Sequence, residues 1–302
     1  MGTHRTSFIG AAAVSMAAVL WGLDGIVLTP RLYNLNIGYV VFVLHLIPFG
    51  IMNLFMFGEY RHLQRFTAGD AFYICLVALT GGVIGTLAIV KALFLVNFQD
   101  LTIIVLLQKF QPVFAITLSA LLLKEAIRKD FLVWALMAIF AGYFLTFGWA
   151  RPDFSTGSKT VHAALFALLA AASFGSSTVL SKKILIKFDF RTATFYRYGL
   201  AALFMLFYVI GAGQLDQIRV TTPFNWMIFI VIAFTTGSGA IFLYYYGLTR
   251  IRAIVASICE LFFPLSAILF DYIFNGNILS PVQWISAGVM VFAIFNLNRT
   301  SA

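Results

Sequence analysis

The chain has 302 residues, of which 62% are hydrophobic and 10% are charged, and its formal net charge is +9. Soluble domains are closer to half apolar and a quarter charged, so this composition excludes an ordinary soluble protein and predicts one that lies in a bilayer. The positive charges fall in short segments between apolar runs, where they indicate membrane topology rather than nucleic-acid binding.

Ten apolar runs are long enough to cross about 30 Å of hydrocarbon. Residues with turn-forming or charged side chains separate them. We therefore predict an all-α integral membrane protein with ten transmembrane helices, which we number spans 1 to 10. The predicted spans cover residues 8–29, 37–57, 70–96, 101–123, 130–149, 160–182, 191–211, 225–247, 253–273 and 281–298.

The Lys and Arg residues outside the spans alternate in number from one side of the membrane to the other. If the N-terminus is cytoplasmic, thirteen of them lie on the cytoplasmic side and only four, Arg31, Arg151, Lys159 and Arg219, lie on the other. Positive residues are enriched in cytoplasmic loops. This pattern predicts that both termini face the cytoplasm.

The second half of the chain repeats features of the first at a spacing of 152 or 153 residues. The matching pairs are Pro112 with Pro264, Gly85 with Gly237, and Trp21-Gly22 with Phe174-Gly175. We therefore predict two five-helix repeats, residues 1–150 and 151–302. Because five is odd, the second repeat enters the membrane from the opposite side, and such inverted repeats are typical of secondary transporters.

Gln108 and Glu260 are the most informative polar side chains inside the spans. A charge at the centre of a membrane helix costs about 2.5–3.5 kcal/mol, and such groups usually face a cavity or a partner. The two residues are equivalent in the repeat, and each lies about 10 Å deep. Pro112 and Pro264 follow four positions later and are predicted to kink the helices and free the carbonyls of Gln108 and Glu260. A binding role and a purely structural proline kink both stay open.

Several other polar or aromatic residues are candidates for a cavity wall. Trp21 and Asp24 of span 1 are predicted to line it, while packing alone explains the small residues beside them. His45 of span 2 is either a hydrogen-bond donor or a proton site. Among Tyr244, Tyr245 and Tyr246, which point in three directions, at most two can face a cavity, and we choose Tyr245.

Three cations, Lys91, Lys109 and Arg197, lie within spans, and Lys109 is turned about 100° away from Gln108. Lys91 is near the outer end of span 3, where its long side chain can reach the surface, and Arg197 of span 7 is predicted to snorkel inward. Enzyme, metal-binding and nucleotide-loop motifs are absent from the sequence, so we expect no enzyme, metal or cofactor. Cys75 and Cys259 lie inside spans and predict no disulfide.

The sequence resembles the EamA-type branch of the drug/metabolite transporter superfamily over essentially its whole length. The resemblance is carried by Ala92-Leu93, Gln111-Pro112-Val113, Leu122-Leu123-Lys124-Glu125, Tyr246-Gly247-Leu248 and Phe263-Pro264. It implies a monomeric carrier of the bacterial inner membrane, with a central cavity lined by spans 1, 3, 4, 6, 8 and 9. The family often ends spans 4 and 9 with an acidic residue; Glu125 matches, whereas Asn277 does not.

The chain also resembles the aromatic amino-acid exporters of that family. We therefore predict an alternating-access exporter of small amphipathic metabolites, with aromatic or other neutral amino acids as the leading substrates and the lipid bilayer as surroundings. A carrier of phosphorylated or nucleotide-linked metabolites and a non-transporting membrane sensor are the alternatives. The predicted contacts are Trp21 and Tyr245 to the substrate ring, Asp24, Gln108 and Glu260 to its amine, and Lys91 to its carboxylate.

Overall fold

The computed structural model describes residues 2–96, 104, 107–108, 110–149, 158–276 and 278–301 of the chain. Within these ranges every regular element is helical. The α-helices are α1 (Gly2–Leu23), α2 (Ile37–Phe55), α3 (Ala68–Val77), α4 (Gly85–Leu95), α5 (Gln111–Leu122), α6 (Lys129–Phe147), α7 (Ser158–Leu185), α8 (Phe190–Gly211), α9 (Pro223–Ile232), α10 (Ser238–Leu248), α11 (Ala253–Cys259), α12 (Phe262–Asn275) and α13 (Pro281–Ser301).

Eight stretches of helix in these ranges are long and apolar enough to cross a membrane. They are Arg5–Leu32, Ile37–Phe55, Ala68–Leu95, Lys129–Phe147, Val161–Leu185, Phe190–Gly211, Pro223–Leu248 and Ala253–Asn275. Two shorter apolar helices, Gln111–Leu122 and Pro281–Leu297, lie within predicted spans 4 and 10. The prediction of an all-helical membrane protein is confirmed. The predicted start of span 4, at residue 101, lies outside the described residues.

Spans 3 and 8 are each interrupted by a π turn. The turn Ala78–Ile84 joins α3 to α4, and the turn Ala233–Gly237 joins α9 to α10. Both spans begin with a capping box, in which a Thr side chain and a side chain three residues later satisfy two free backbone N–H groups. The two boxes pair Thr67 with Asp70 and Thr222 with Asn225. Because π turns often mark functional sites, these interruptions are places to look for polar contacts.

The prolines of spans 4 and 9 lie in the first turn of a new helix, which corrects the prediction of kinks within continuous helices. Pro112 is the second residue of α5, and Pro264 is the third residue of α12. A proline is tolerated there because the N–H groups of a first turn have no partner within the helix. The carbonyl of Glu260 is also not free, since it accepts a hydrogen bond from the Phe263 N–H at 2.9 Å.

The helices pair in a pattern that is unchanged when the two halves of the chain are exchanged. In the first half α1 packs on α10 and α12, and its counterpart α7 packs on α4 and α5. The remaining large contacts join α2 to α8 and α6 to α13. The central helices α1 and α7 carry fully buried alanines, Ala17 and Ala18 in one and Ala170 and Ala171 in the other. These small side chains let neighbouring helices approach closely.

Two glycines mark equivalent close approaches in the two halves. A Cβ on Gly22 of α1 would lie 2.0 Å from Ser266 Oγ and 2.8 Å from the backbone nitrogen of Ala267, both in α12. A Cβ on Gly175 of α7 would lie 2.6 Å from the backbone oxygen of Gln111 in α5. Gly22 of α1 therefore lies against α12, whose first turn contains Pro264 of the second half. Gly175 of α7 lies against α5, whose first turn contains Pro112 of the first half.

Candidate functional site

Glu260 lies at the break between α11 and α12, and three hydrogen-bond donors surround its carboxylate. Oε1 accepts from the Tyr244 hydroxyl at 2.6 Å and from Thr178 Oγ1 at 3.0 Å. Oε2 accepts from Nε2 of Gln111. The donors come from α10, α7 and α5, so this Glu260 cluster joins four helix segments. Glu260 as a whole residue is half-buried.

A second polar group lies beside the first and is built around Arg197 of α8. Nη1 donates to the Tyr245 hydroxyl at 3.0 Å, and that hydroxyl is also 2.7 Å from Ser181 Oγ. Nη2 donates to the carbonyl oxygen of Gly81, in the π turn of span 3, at 3.1 Å. Arg197 is 8% exposed, so the prediction that it snorkels inward to the surface is wrong. We call Arg197, Tyr245 and Ser181 the Arg197 cluster.

Trp21 brings an aromatic face to the Glu260 cluster. Its ring centroid lies 5.4 Å from that of Tyr244, with an angle of 50° between the planes, and the residue is half-buried. Tyr245, which we predicted to line the same cavity wall, is fully buried, and its hydroxyl accepts a hydrogen bond from Arg197. Tyr244 is therefore the tyrosine that joins Trp21 and Glu260.

Asp24 and His45 have hydrogen-bond partners other than the Glu260 cluster. Asp24 follows α1 in a π turn, where its carboxylate accepts from Thr29 at 3.1 Å and from Thr236, in the π turn of span 8, at 3.0 Å. His45 is buried in α2 with Nδ1 2.8 Å from the carbonyl oxygen of Val41. These contacts favour the hydrogen-bonding alternative for His45 and make Asp24 a link between two interrupted spans.

Lys91 and Gln108 do not join the cluster either. Lys91 is exposed on α4, and it has no ion pair with any described residue. Gln108 is half-buried, and its Nε2 has no hydrogen-bond partner within the described ranges. The repeat paired Gln108 with Glu260, but the amide that reaches Glu260 belongs to Gln111. Lys109, a further polar residue of span 4, lies outside the described residues.

The sequence contained a signal for one of the site residues that we did not predict. Gln111 is a polar residue in an apolar run and precedes Pro112, so it could have been chosen by the argument that selected Gln108. Thr178 and Ser181 carry no such signal, because hydroxyls are common in membrane helices and often bond the backbone of their own helix. Arg197 could be recognised as costly, but only the packing of α8 against α10 shows its partner.

α11, on the side of Glu260 that we predict to be cytoplasmic, is buried along its whole length. All seven of its residues, Ala253–Cys259, are buried. Both carboxylate oxygens of Glu125 accept hydrogen bonds at its start, from the backbone N–H of Ala253 at 2.9 Å and of Ile254 at 3.1 Å. The end of span 4 thus caps the beginning of span 9. A carboxylate there satisfies free N–H groups and complements the positive end of the helix dipole.

Comparison with known proteins gives the family. A model of the EamA-like transporter family matches residues 161–299. The chain is 49% identical to the riboflavin transporter ImpX of Fusobacterium nucleatum over 292 residues, which cover 96% of this chain and 97% of that protein. It is 27% identical to an uncharacterized transporter of Synechocystis, sll1164, over 89% of this chain and 80% of the relative. None of these names supports the predicted amino-acid cargo.

A solved structure supports the fold. It superimposes on the chain with a TM-score of 0.68 and covers 98% of each chain, although the two sequences are only 14% identical. Similarity at that level concerns the fold alone, whereas the near full-length identity to the Fusobacterium protein concerns ancestry and class of activity. With eight long apolar helices and two shorter ones in the described part of the chain, and with these relatives, the chain belongs to the EamA-like transporter family and is a multi-pass membrane transporter, not an enzyme.

Proposed function

We propose that the chain transports riboflavin or a closely similar flavin across the membrane. The observation that carries this proposal is the 49% identity, over 96% of the chain, to the riboflavin transporter of Fusobacterium nucleatum. This replaces the predicted aromatic amino acids with a larger aromatic cargo. Alternating access in the membrane is kept as part of the proposal.

The chemistry around Glu260 fits such a cargo. Riboflavin combines a flat aromatic ring system, a polar edge with N–H and C=O groups, and a chain of hydroxyls. Trp21, packed on the buried Tyr244, supplies aromatic surface, and the half-buried Glu260 can accept hydrogen bonds from N–H or hydroxyl groups. Sites of this kind are mostly apolar with a few polar groups that fix orientation. We propose Trp21, Gln111 and Glu260 as the cargo contacts, with the buried Tyr244 holding Trp21 and Glu260 in place.

The charges argue against the two other substrate classes considered. A phosphate, or the carboxylate of an amino acid, needs a free cation at the site. Among the described residues, Arg197 is buried and bonded to Tyr245 and Gly81, and Lys91 is exposed on α4 without joining the Glu260 cluster. A neutral cargo such as riboflavin needs no such cation. We therefore propose selectivity for the neutral flavin over its phosphorylated forms.

We further propose the membrane arrangement that this function requires. Ten spans form two five-helix halves of opposite orientation, residues 1–150 and 151–302, with both termini in the cytoplasm and the protein acting as a monomer in the bacterial inner membrane. The exchange-symmetric pairing of α1 with α12 and α7 with α5 supports the two halves, and the relatives are bacterial. The break at Glu260 lies where the halves meet, as in carriers with discontinuous helices.

Counterflow in vesicles tests the proposed cargo. Purified protein is reconstituted into liposomes loaded with unlabelled riboflavin, and entry of labelled riboflavin is followed with and without excess unlabelled riboflavin, flavin mononucleotide or phenylalanine outside. We expect entry above that of protein-free liposomes, competition by riboflavin, and little competition by the other two. Competition by phenylalanine alone would return the assignment to amino acids, and equal competition by flavin mononucleotide would remove the argument from charge.

A further inference from the structure

Two parallel sets of hydroxyl groups connect α7 and α10. Thr178 Oγ1 lies 2.8 Å from the Tyr244 hydroxyl, and three residues later Ser181 Oγ lies 2.7 Å from the Tyr245 hydroxyl. Residues three apart are neighbours on one face of a helix, so the two pairs lie one above the other. The tyrosine rings are themselves in contact, with centroids 5.9 Å apart.

The two pairs hold opposite charges. The Thr178–Tyr244 pair donates to the carboxylate of Glu260, and the Ser181–Tyr245 pair receives the guanidinium of Arg197. Glu260 and Arg197 are therefore bonded to adjacent hydroxyl pairs, which meet through the contact of the two tyrosine rings, and we call this arrangement the polar ladder.

Arg197 needs a counter-charge, and the structure narrows the choice. An arginine stays charged in proteins, and a charge buried in the membrane is costly unless it is compensated. No carboxylate of a described residue lies within ion-pair distance of it. Asp24, another acidic residue within a span, accepts hydrogen bonds from Thr29 and Thr236 and not from Arg197. His45 lies in the neighbouring helix and is bonded to the Val41 carbonyl.

We propose that Arg197 is the counter-charge of Glu260 and a positioning residue for the cargo site. It does not touch the cargo; it balances the negative charge of the carboxylate through the ladder and so keeps Glu260 as an acceptor of hydrogen bonds. Arg197 also ties this acceptor to the π turn of span 3 through the carbonyl of Gly81. The charge balance itself stands apart from the identity of the cargo, whereas the positioning role rests on the proposed function.

Thermal stability of purified variants tests the charge balance without any substrate. Arg197→Gln leaves the half-buried charge of Glu260 alone, and Glu260→Gln leaves the buried charge of Arg197 alone. We expect each to lower the midpoint of thermal unfolding in detergent by about 5 °C or more. The double variant Arg197→Gln/Glu260→Gln has no charge to balance. We expect it to recover at least about half of the summed loss, because coupled groups are not additive.

A purely structural role for Arg197 predicts the opposite result. If Arg197 only tethers Tyr245 and Gly81, the losses of the two single variants add, and that outcome overturns the proposal. Should Arg197→Gln not accumulate as folded protein, recovery of folded protein in the double variant supports the proposal, and no recovery overturns it. Asp130→Asn, which removes an exposed carboxylate with an ion pair to Arg128, is the control and should shift the midpoint little.

Transport separates the positioning role from the choice of cargo. Arg197→Lys keeps the charge and should retain riboflavin counterflow, while Arg197→Gln should reduce it at least about tenfold. Loss of counterflow in Arg197→Lys equal to that in Arg197→Gln would assign the role to the hydrogen bonds rather than to the charge and so overturn the positioning role. If the wild-type protein does not carry riboflavin, the proposed function fails, but the stability cycle still decides whether the two charges are coupled.

Discussion

Trp21 is the side chain whose role is easiest to separate from the folding of the bundle. It is half-buried, and its ring packs on Tyr244 without making a hydrogen bond that the rest of the Glu260 cluster needs. Aromatic pairs contribute about 0.5–1.5 kcal/mol beyond the area they bury. If Trp21 contacts the flavin ring, its removal therefore weakens binding by a measurable factor.

We predict that Trp21→Ala weakens riboflavin binding about tenfold and that Trp21→Phe, which keeps an aromatic face, weakens it less. Quenching of flavin fluorescence by the purified protein measures the affinity. Trp284→Ala is the matched control, because Trp284 is exposed on α13 and packs on Tyr272, away from Glu260. Unchanged affinity in Trp21→Ala would remove Trp21 from the cargo contacts.

At the residue scale, the sequence located the costly side chains but not their partners. Glu260 was selected because a charge in an apolar run demands a reason. Its partners Gln111 and Thr178 are 149 and 82 positions away in sequence, and those contacts depend on how α5 and α7 pack. The sequence also could not show that Tyr244, rather than the predicted Tyr245, is bonded to Glu260, since adjacent residues on a helix differ by about 100° in direction.

Among the helices, α11 has the clearest mechanical role. Its seven residues are buried, it ends at Glu260, and its first two N–H groups are capped by Glu125. Arg252, just before it, donates to the carbonyl oxygen of Ala126 at 3.1 Å. These contacts fasten α11 to the end of span 4, so that opening a path on this side requires the Glu125 cap to break.

We predict that Glu125→Ala loosens α11 and makes Cys259 reactive. Cys259 is fully buried in α11, and Cys75, the other described cysteine, can be replaced by Ala to leave one thiol. A carboxylate cap contributes typically about 1 kcal/mol, which corresponds to roughly a fivefold change in an opening equilibrium. Labelling of Cys259 by N-ethylmaleimide should therefore accelerate about fivefold relative to the Cys75→Ala background.

The exposed acid Asp130 supplies the control for this experiment. Asp130→Asn changes a carboxylate five residues along the chain without touching α11, so labelling of Cys259 should stay at the background rate. Equal labelling rates in Glu125→Ala and in the background would show that the cap does not hold α11 closed.

At the element scale, the apolar runs predicted where helices cross the membrane, but the interruptions were not predicted. Length and hydropathy are properties of a run, and they place spans 2 and 7 correctly. The π turns of spans 3 and 8 carry no comparable signal, because they depend on contacts such as that between Arg197 and the Gly81 carbonyl. The breaks at Pro112 and Pro264 were signalled by proline, although as kinks rather than as starts of new helices.

For the molecule as a whole, the two halves meet through a matched pair of contacts. Gly22 of α1 presses on α12, and Gly175 of α7 presses on α5. The same two helices, α12 and α5, begin beside Glu260 and Gln111. The distance between the halves at these glycines therefore sets how closely Glu260 and Gln111 approach one another.

We predict that Gly22→Ala and Gly175→Ala both reduce riboflavin counterflow and thermal stability. The new Cβ at either position would meet backbone atoms, at 2.8 Å from the Ala267 nitrogen or 2.6 Å from the Gln111 oxygen, so a helix must move. Overpacking of this kind costs typically about 1–3 kcal/mol. The unfolding midpoint should fall by several degrees, roughly 2–4 °C for each kcal/mol.

One glycine from each half provides a control for these substitutions. A Cβ on Gly50 of α2 or Gly288 of α13 would meet nothing within 4 Å. Alanine is favoured over glycine inside a helix by about 1 kcal/mol, so Gly50→Ala and Gly288→Ala should keep or slightly raise stability and leave counterflow unchanged. If only one of Gly22→Ala and Gly175→Ala impairs the protein, the halves do not contribute equally to the interface. Since the proposed inverted repeat requires matched contacts, that asymmetry would argue directly against it.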